Sequence, residues 1–484
     1  MSLNSALNAA MSGLRTASRS SELISSNISN AATPGYARRT LETSSTSGAF
    51  VSGVRIEGVV RHGDPQVLAD RRLASAEFGY RSDTTRFLTS IEDAIGTPDQ
   101  AGSLSGQLSE FENSLIEASS RPDATERLES SALAARDLAN AINRASDTVQ
   151  DARSEADRSI AVQVDRLNDA LASVKEVNTK ITSAVSQRQD TAALQDQRQL
   201  LIDEISEMVP VRVVPRDLGA VALFTTGGAI LLDGSAAEIG FEPANTVTPY
   251  MSVEDGTLSG ITINGFAVST SSETGRLRGG TIGAQFEIRD ELAPDAQRQL
   301  DAVARDLIER FEDPTVDPTL TAGQPGLFTD QGATFDPLTE EGLASRFALY
   351  AAVDPAQGCE PWRIRDGLGA TAPGDVGDAR IINALSDALS NARTPGSGTF
   401  GTGTFSALDL TSTLSSQLGI DRLRSDQQLS FATAQLNELT QLELADGVDT
   451  DVELQQLMLV EQAYAANARV IQTVDQMLDT LLGI

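Results

Sequence analysis

Few residues in this 484-residue chain combine a reactive type with a useful spacing. It has a single histidine, His62, and a single cysteine, Cys359, so no zinc-type ligand cluster and no intrachain disulfide can be assembled. Cys359 reads as a small packed hydrophobe rather than a nucleophile. Carboxylates are abundant, Asp99, Glu110 and Glu112 among them, but with 68 acids close pairs arise from composition alone, and no histidine accompanies them. The segment Gly275-Arg276-Leu277-Arg278-Gly279-Gly280-Thr281-Ile282-Gly283 has the glycines and cations of a phosphate loop before a helix. It lacks the Gly-Lys-Ser/Thr ending and reads as a strand-to-helix turn. The expectation is a protein that is not an enzyme and that takes no cofactor and no metal.

A formal charge of −31 and a pI near 4.3 argue against nucleic acid or an anionic membrane as partner, since both need a basic face. No run of 18 apolar residues exists for a membrane span, and the N-terminus lacks the cationic flank and apolar block of a cleavable signal peptide.

The residues with a clear spacing are apolar, and they lie at the two ends. One stripe runs through Leu3, Leu7, Ala10, Leu14, Ala17, Ser21, Ile24 and Ile28, the other through Leu457, Val460, Tyr464, Asn467, Ile471, Val474, Leu478 and Leu481. Steps of three and four place one seam on each helix, and such a seam is covered by another helix. The first end carries Arg15, Arg19, Arg38 and Arg39 against Glu22, whereas the last holds seven acids against Arg469, which favours pairing of N-terminus with C-terminus. Met11, Leu23, Met458, Leu459, Val470, Met477, Leu482 and Ile484 fall off the seams. They leave a second apolar surface for further partners, other copies of the chain being the obvious source.

Neither Gly nor Pro occurs between Pro122 and Pro210, so this stretch is expected to be helical. Leu138, Ile142, Ala145, Val149, Ala152 and Ala156 keep heptad phase; Ile160 and Val164 follow at four-residue steps; Leu167, Leu171, Val174, Asn178, Ile181 and Val185 resume it. The extra steps are stutters that relax a supercoil without ending the helix. Asn178 and Asn467 occupy core positions, where they either fix register or mark a solvated edge. A stripe at Leu429, Ala432, Leu436 and Leu439 predicts a returning helix, and Ile282–Phe311 another. Between the helices, Val211 and Val213, Val221 to Leu232 broken by Gly227-Gly228, and Ile261-Thr262-Ile263 joined to Phe266-Ala267-Val268 by Asn264-Gly265 predict strands and hairpins. From Asp313 to Ala379 the chain is rich in Pro, Gly and Asp and reads as an irregular insertion or small outer lobe.

After the first stripe stands Ser26-Asn27-Ile28-Ser29-Asn30-Ala31-Ala32-Thr33-Pro34-Gly35-Tyr36. Pro34 disfavours helix at Thr33, Pro-Gly suits the centre of a type II turn, and Asn30 can bond nearby backbone, so the helix must stop and turn here. This segment resembles the signature of the rod, hook and hook-associated proteins of the bacterial flagellum, in which Asn30, Thr33, Pro34, Gly35 and Tyr36 match the turn. The run Gly447 to Leu454, followed by Glu461 to Ile471, is similar to that family's matching C-terminal end. Ser103 to Gly106 with Phe111 and Arg121-Pro122-Asp123, Leu194 to Leu201, and Gly275 to Arg289 resemble the hook-associated members at the hook–filament junction.

The fold expected is mainly α with a β-rich part: terminal helices paired as a coiled coil, a long helical-bundle body with β-hairpins, and a small irregular insertion. The domains are residues 1–45 plus 446–484 as terminal core, 46–326 plus 380–445 as body, and 327–379 as a reduced outer insertion. The resemblance implies a structural subunit joining hook to filament, located outside the cell at that junction and exported by the flagellar type III apparatus. Its implied partners are other copies of itself in a helical ring, the hook protein, a second junction protein, and an export chaperone at the C-terminal helix. The alternatives are a hook subunit and a secreted hydrolase on an axial scaffold.

Overall fold

A computed structural model describes residues 3–47, 52–100, 102–272, 274–321, 323–358 and 360–482. Helix α1 (Leu3–Asn30) leads into a hairpin of β1 (Arg39–Ser47) and β2 (Ser52–Arg61), antiparallel with Arg39 opposite Arg61. Next come α2 (Pro65–Ile95), whose N-cap Asp64 accepts from the Gln66 and Val67 amides, and α3 (Leu104–Ser120). Helix α4 (Thr125–Ser186) is the predicted long helix, 62 residues and about 90 Å at 1.5 Å per residue, followed by α5 (Ala192–Met208). Strands β3 (Val211–Pro215), β4 (Val221–Thr225), β5 (Ile230–Asp233) and β6 (Ser235–Ala236) form one antiparallel sheet in that order. Strands β7 (Ile239–Gly240), β8 (Ile261–Ile263) and β9 (Phe266–Val268) form another. Asn264 and Gly265 join β8 to β9 with φ of 52° and 80°, the left-handed pair that a two-residue hairpin turn requires.

The helix expected at Ile282–Phe311 is α6 (Gly280–Glu287), a π turn (Ile288–Leu292) and α7 (Ala293–Phe311). Then follow β10 (Phe328–Asp330), α8 (Leu343–Arg346), β11 (Phe347–Leu349), α9 (Trp362–Asp366), α10 (Arg380–Ser390), the returning α11 (Ala407–Ala445) and α12 (Thr450–Leu482). Helix α11 lies along α2, and α12 along α1.

Two apolar cores follow one another along α4. Residues Leu128 to Ala156 pack with α2, α3 and α7, whereas Ile160 to Val174 pack with α5, α6 and the sheets. The stutter marks the boundary, and a buried polar cluster fills it. Asp157 and Arg289, both inaccessible, are paired at 2.8 Å; Arg289 lies over the Phe241 and Phe286 rings and donates to Ser259 O, and Arg153 donates to Arg289 O and Met251 O. Arginine suits this place because its fork satisfies several carbonyls that a helix-only core would leave orphaned.

Asn178 proves to be a docking residue. Its amide donates to Val221 O and accepts from Val221 N at the start of β4, and Asn168 does the same with Ile239 on β7. Residues 327–379 are irregular but are not a separate lobe. Phe328 and Phe347 are fully buried and stacked on each other, and Phe328 is set edge-on to Phe111 and Phe311 in the first core. A large aromatic in a Pro/Gly-rich stretch is anchored by area that no local pattern reveals.

Candidate functional site

The chain ends come together as an antiparallel helix pair. In α1 the seam residues Ala10, Ala17 and Ile24 are buried and Leu3, Leu7, Leu14, Ser21 and Ile28 half-buried. In α12 Val474 is buried and Leu457, Val460, Asn467 and Ile471 half-buried, while Tyr464 and Leu478 are exposed at 50% and 39%. The side chain of Leu481 lies outside the described residues. The intrachain seam is therefore partly covered along most of its length and open at Tyr464 and Leu478. Midway, Gly13 faces Asn467: a Cβ there would sit 2.7 Å from Asn467 Nδ2, so only glycine admits this approach. Asn467 also donates to its own helix at Ala463 O.

At the far end of the pair the expected turn is present. Thr33 N bonds Asn30 O and Tyr36 N bonds Thr33 O at 3.2 Å, with Pro34 and Gly35 (φ 75°) at the centre, a type II turn. Asn30 caps the helix end through Ser26 O, and the Thr33 hydroxyl reaches its Oδ1. The turn aims Tyr36 back at α1, where its hydroxyl donates to Asn27 Oδ1 at 2.8 Å. Asn27, fully buried, also accepts from Arg39 N and donates to Arg39 O and to Glu453 Oε2. Glu453, 1% exposed on the first turn of α12, takes Arg38 Nε at 2.7 Å on its other oxygen. One asparagine thus spends its full hydrogen-bonding capacity joining the helix, the turn and the opposite chain end. Sequence reasoning named the turn but missed Asn27 and Glu453; the signal available was a polar residue one turn before Asn30.

Charge complementarity between the ends is narrower than composition suggests. Arg38–Glu453 is a genuine N-to-C pair, but Arg19 pairs with Glu22 on its own helix, and Arg39 reaches Asp196 on α5. Asp196, Gln199 and Asp203 share one face of α5 and collect arginines from the N-terminal side. Arg61 joins Asp196 at 2.7 Å, and Arg71 and Arg72 join Asp203 at 2.5 and 2.6 Å. Arg71 and Gln199 also hold Glu443 near the end of α11. These mostly part-buried pairs tie the β1–β2 hairpin and α2 to α5 and to the end of α11. Leu23, expected off the seam in water, is buried, and the β1–β2 hairpin packs on α1. Met11, Met458, Leu459, Val470 and Met477 remain exposed.

The other candidate chemistry dissolves into structure. Gly280 (φ 66°) is held against Met208 O, where a Cβ would stand 2.3 Å away, so its glycine serves a backbone crossing. Glu112 accepts from the Ser390 hydroxyl, and Asp99 from that of Thr97. Cys359 lies outside the described residues. No group of three His, Cys, Asp or Glu is placed to hold a metal among the described residues, and no described helix is long and apolar enough to cross a membrane.

Comparison with known proteins follows this division of the chain. Residues 88–326 match the flagellar hook-associated protein FlgK helical domain, 7–36 the flagella basal body rod protein, and 445–484 the flagellar basal body rod FlgEFG protein C-terminal model. Flagellar hook-associated protein 1 of Bacillus subtilis is 25% identical over 490 residues, 94% of this chain and 93% of that protein. Its namesake in Escherichia coli is 24% identical over 562 residues, spanning both chains fully. The structure of the flagellar hook junction protein FlgK from Burkholderia pseudomallei aligns at a TM-score of 0.43 and 20% identity, over 55% of this chain and 46% of that one. With a rod-type segment at each end, the FlgK helical domain between them and relatives of that name along its whole length, the chain belongs to the FlgK family of flagellar hook-associated proteins.

Proposed function

We propose that this protein is a structural, non-enzymatic subunit that joins the flagellar hook to the filament, its paired terminal helices packing with other copies into a tubular ring. The observation that carries this reading is the closed joint at Asn27, Glu453 and Arg38, which ties both chain ends into one unit while α12 keeps an apolar surface in water. A head-to-tail contact between unlike faces generates a ring where its rotation closes and a helical array where it does not, and an axial junction is built from such contacts. Hook protein below, a second junction protein above and an export chaperone on α12 are the partners of this reading, with export through the flagellar type III route. The match to the FlgK helical domain over the body favours a junction protein over a hook subunit.

Purified protein mixed with isolated hooks tests the reading by electron microscopy. A short cap on the hook end is expected. Long tubes formed by the protein alone would make it a hook subunit, and failure to bind hooks would sink the assignment.

A further inference from the structure

Helix α12 carries a second heptad stripe, offset by one residue from the first: Leu459, Ala463, Ala466, Val470, Thr473 and Met477. The steps are four and three throughout, no member is charged, and all six are exposed, Leu459 at 64%, Met477 at 51% and Val470 at 43%. A one-residue offset turns this stripe by about 100° from the covered seam, so α12 is built to lie between two helices. Ala463 and Ala466 allow close approach at its centre.

On the other side of the pair, α1 and β2 bound an open groove lined by Asn8, Met11, Ser12, Arg15, Val54 and Ile56. Met11, Val54 and Ile56 are exposed at 43%, 39% and 39%, and Arg15 is exposed too. Met11 follows a seam position and Val470 precedes one. In an antiparallel pair such positions fall on opposite flanks, so stripe and groove do not overlap.

We infer that the second stripe of α12 docks in the α1–β2 groove of a second copy of this chain; the inference rests on the ring-forming role proposed above. Charge selects this occupant. Beyond the stripe, α12 exposes Asp451, Glu461, Asp475 and Asp479 against Arg469, so two α12 helices would repel, whereas the groove offers Arg15, the Arg19 of α1 being paired with Glu22. Because the two faces are different and non-overlapping, the contact is head-to-tail and can repeat from copy to copy around the ring.

Disulfide trapping tests this in isolated hook–filament structures. In a Cys359→Ser background, chains with Met11→Cys are co-expressed with chains carrying Ala466→Cys, Val470→Cys or Met477→Cys. At least one combination should give a dimer of twice the chain mass under oxidation, absent when either variant is expressed alone, since bridging needs Cα atoms within about 7 Å. Chains present in the structures with no dimer from any combination would overturn the docking while leaving the junction role intact. Absence of the unmodified chain from those structures would overturn both. As a second measure, Val470→Glu should leave the melting point of the free protein unchanged and lower incorporation at least tenfold; normal incorporation would exclude this face from the contact.

Discussion

Asn27 Nδ2 donates to Glu453 Oε2 at 3.0 Å across 426 residues of chain, and neither side chain is reached by solvent to more than 1%. This bond closes the molecule: it sets the start of the last helix against the end of the first, with Arg38 completing the carboxylate and Tyr36 the amide. A half-satisfied buried network costs more than an apolar core, so each member depends on the others.

Replacing Asn27 with Ala should strand Glu453, the Tyr36 hydroxyl and the Arg39 backbone together. The expected loss is about 2–4 kcal/mol, local to the helix pair. Hydrogen exchange should show α1 and α12 opening while α4 stays protected, and Glu453→Gln, which keeps an acceptor, should be milder. Uniform destabilisation of the body by Asn27→Ala would argue against a local joint.

Gly13 and Asn467 should be coupled. Gly13→Ala pushes a methyl into Asn467 and should cost about 1–2 kcal/mol, even though Ala is the better helix former by up to about 1 kcal/mol. Adding Asn467→Ala makes room, so the double variant should be at least as stable as the Asn467→Ala single. Additive losses in a thermal-melt cycle would show that the two residues do not meet.

The turn depends on Gly35. Its φ of 75° is left-handed and Leu200 lies beneath it, so Gly35→Val should cost about 1–3 kcal/mol and misdirect Tyr36. Protease sensitivity should rise first near residues 30–40; an unchanged cleavage pattern would mean the turn tolerates another conformation.

Leu478 separates folding from assembly. It is 39% exposed in the single chain, so Leu478→Asp should shift stability by no more than about 0.5 kcal/mol. In the assembled ring the same carboxylate would be buried beside Val474 at roughly 2–4 kcal/mol per copy. Cells carrying it should build hooks and lose filament protein to the medium. Unfolding of the purified variant, or normal filaments, would remove Leu478 from the subunit contact.

Burial raises the Asp301 carboxyl from 3.8 to about 6, outweighing the Ala344 and Gly342 amides and Gln297 that bond it. The folded chain then holds a proton that the unfolded chain has released between pH 4 and 6. Stability from this group is therefore full below about pH 4 and falls as pH rises to 6. The pH slope of the melting point in that window should flatten in Asp301→Asn; an unaltered slope would place the titration elsewhere.

Features whose signal is local and periodic can be read from the amino-acid sequence. Both terminal seams, the 62-residue α4, the Asn264-Gly265 hairpin and the Pro34-Gly35 turn were all legible, because each depends on spacing or on backbone dihedrals restricted by residue type. What those elements meet depends on contacts between distant parts of the chain. Leu23 lies off the seam yet is buried, Gly13 looks like a weak point in a helix until Asn467 fills its place, and Phe328 sits in a Pro/Gly-rich stretch until Phe111 and Phe311 enclose it. Asn27 and Glu453 are single polar residues with no pattern around them. Their role arises from a register between chain ends, set by the summed packing of two helices, and no local property of either residue encodes it.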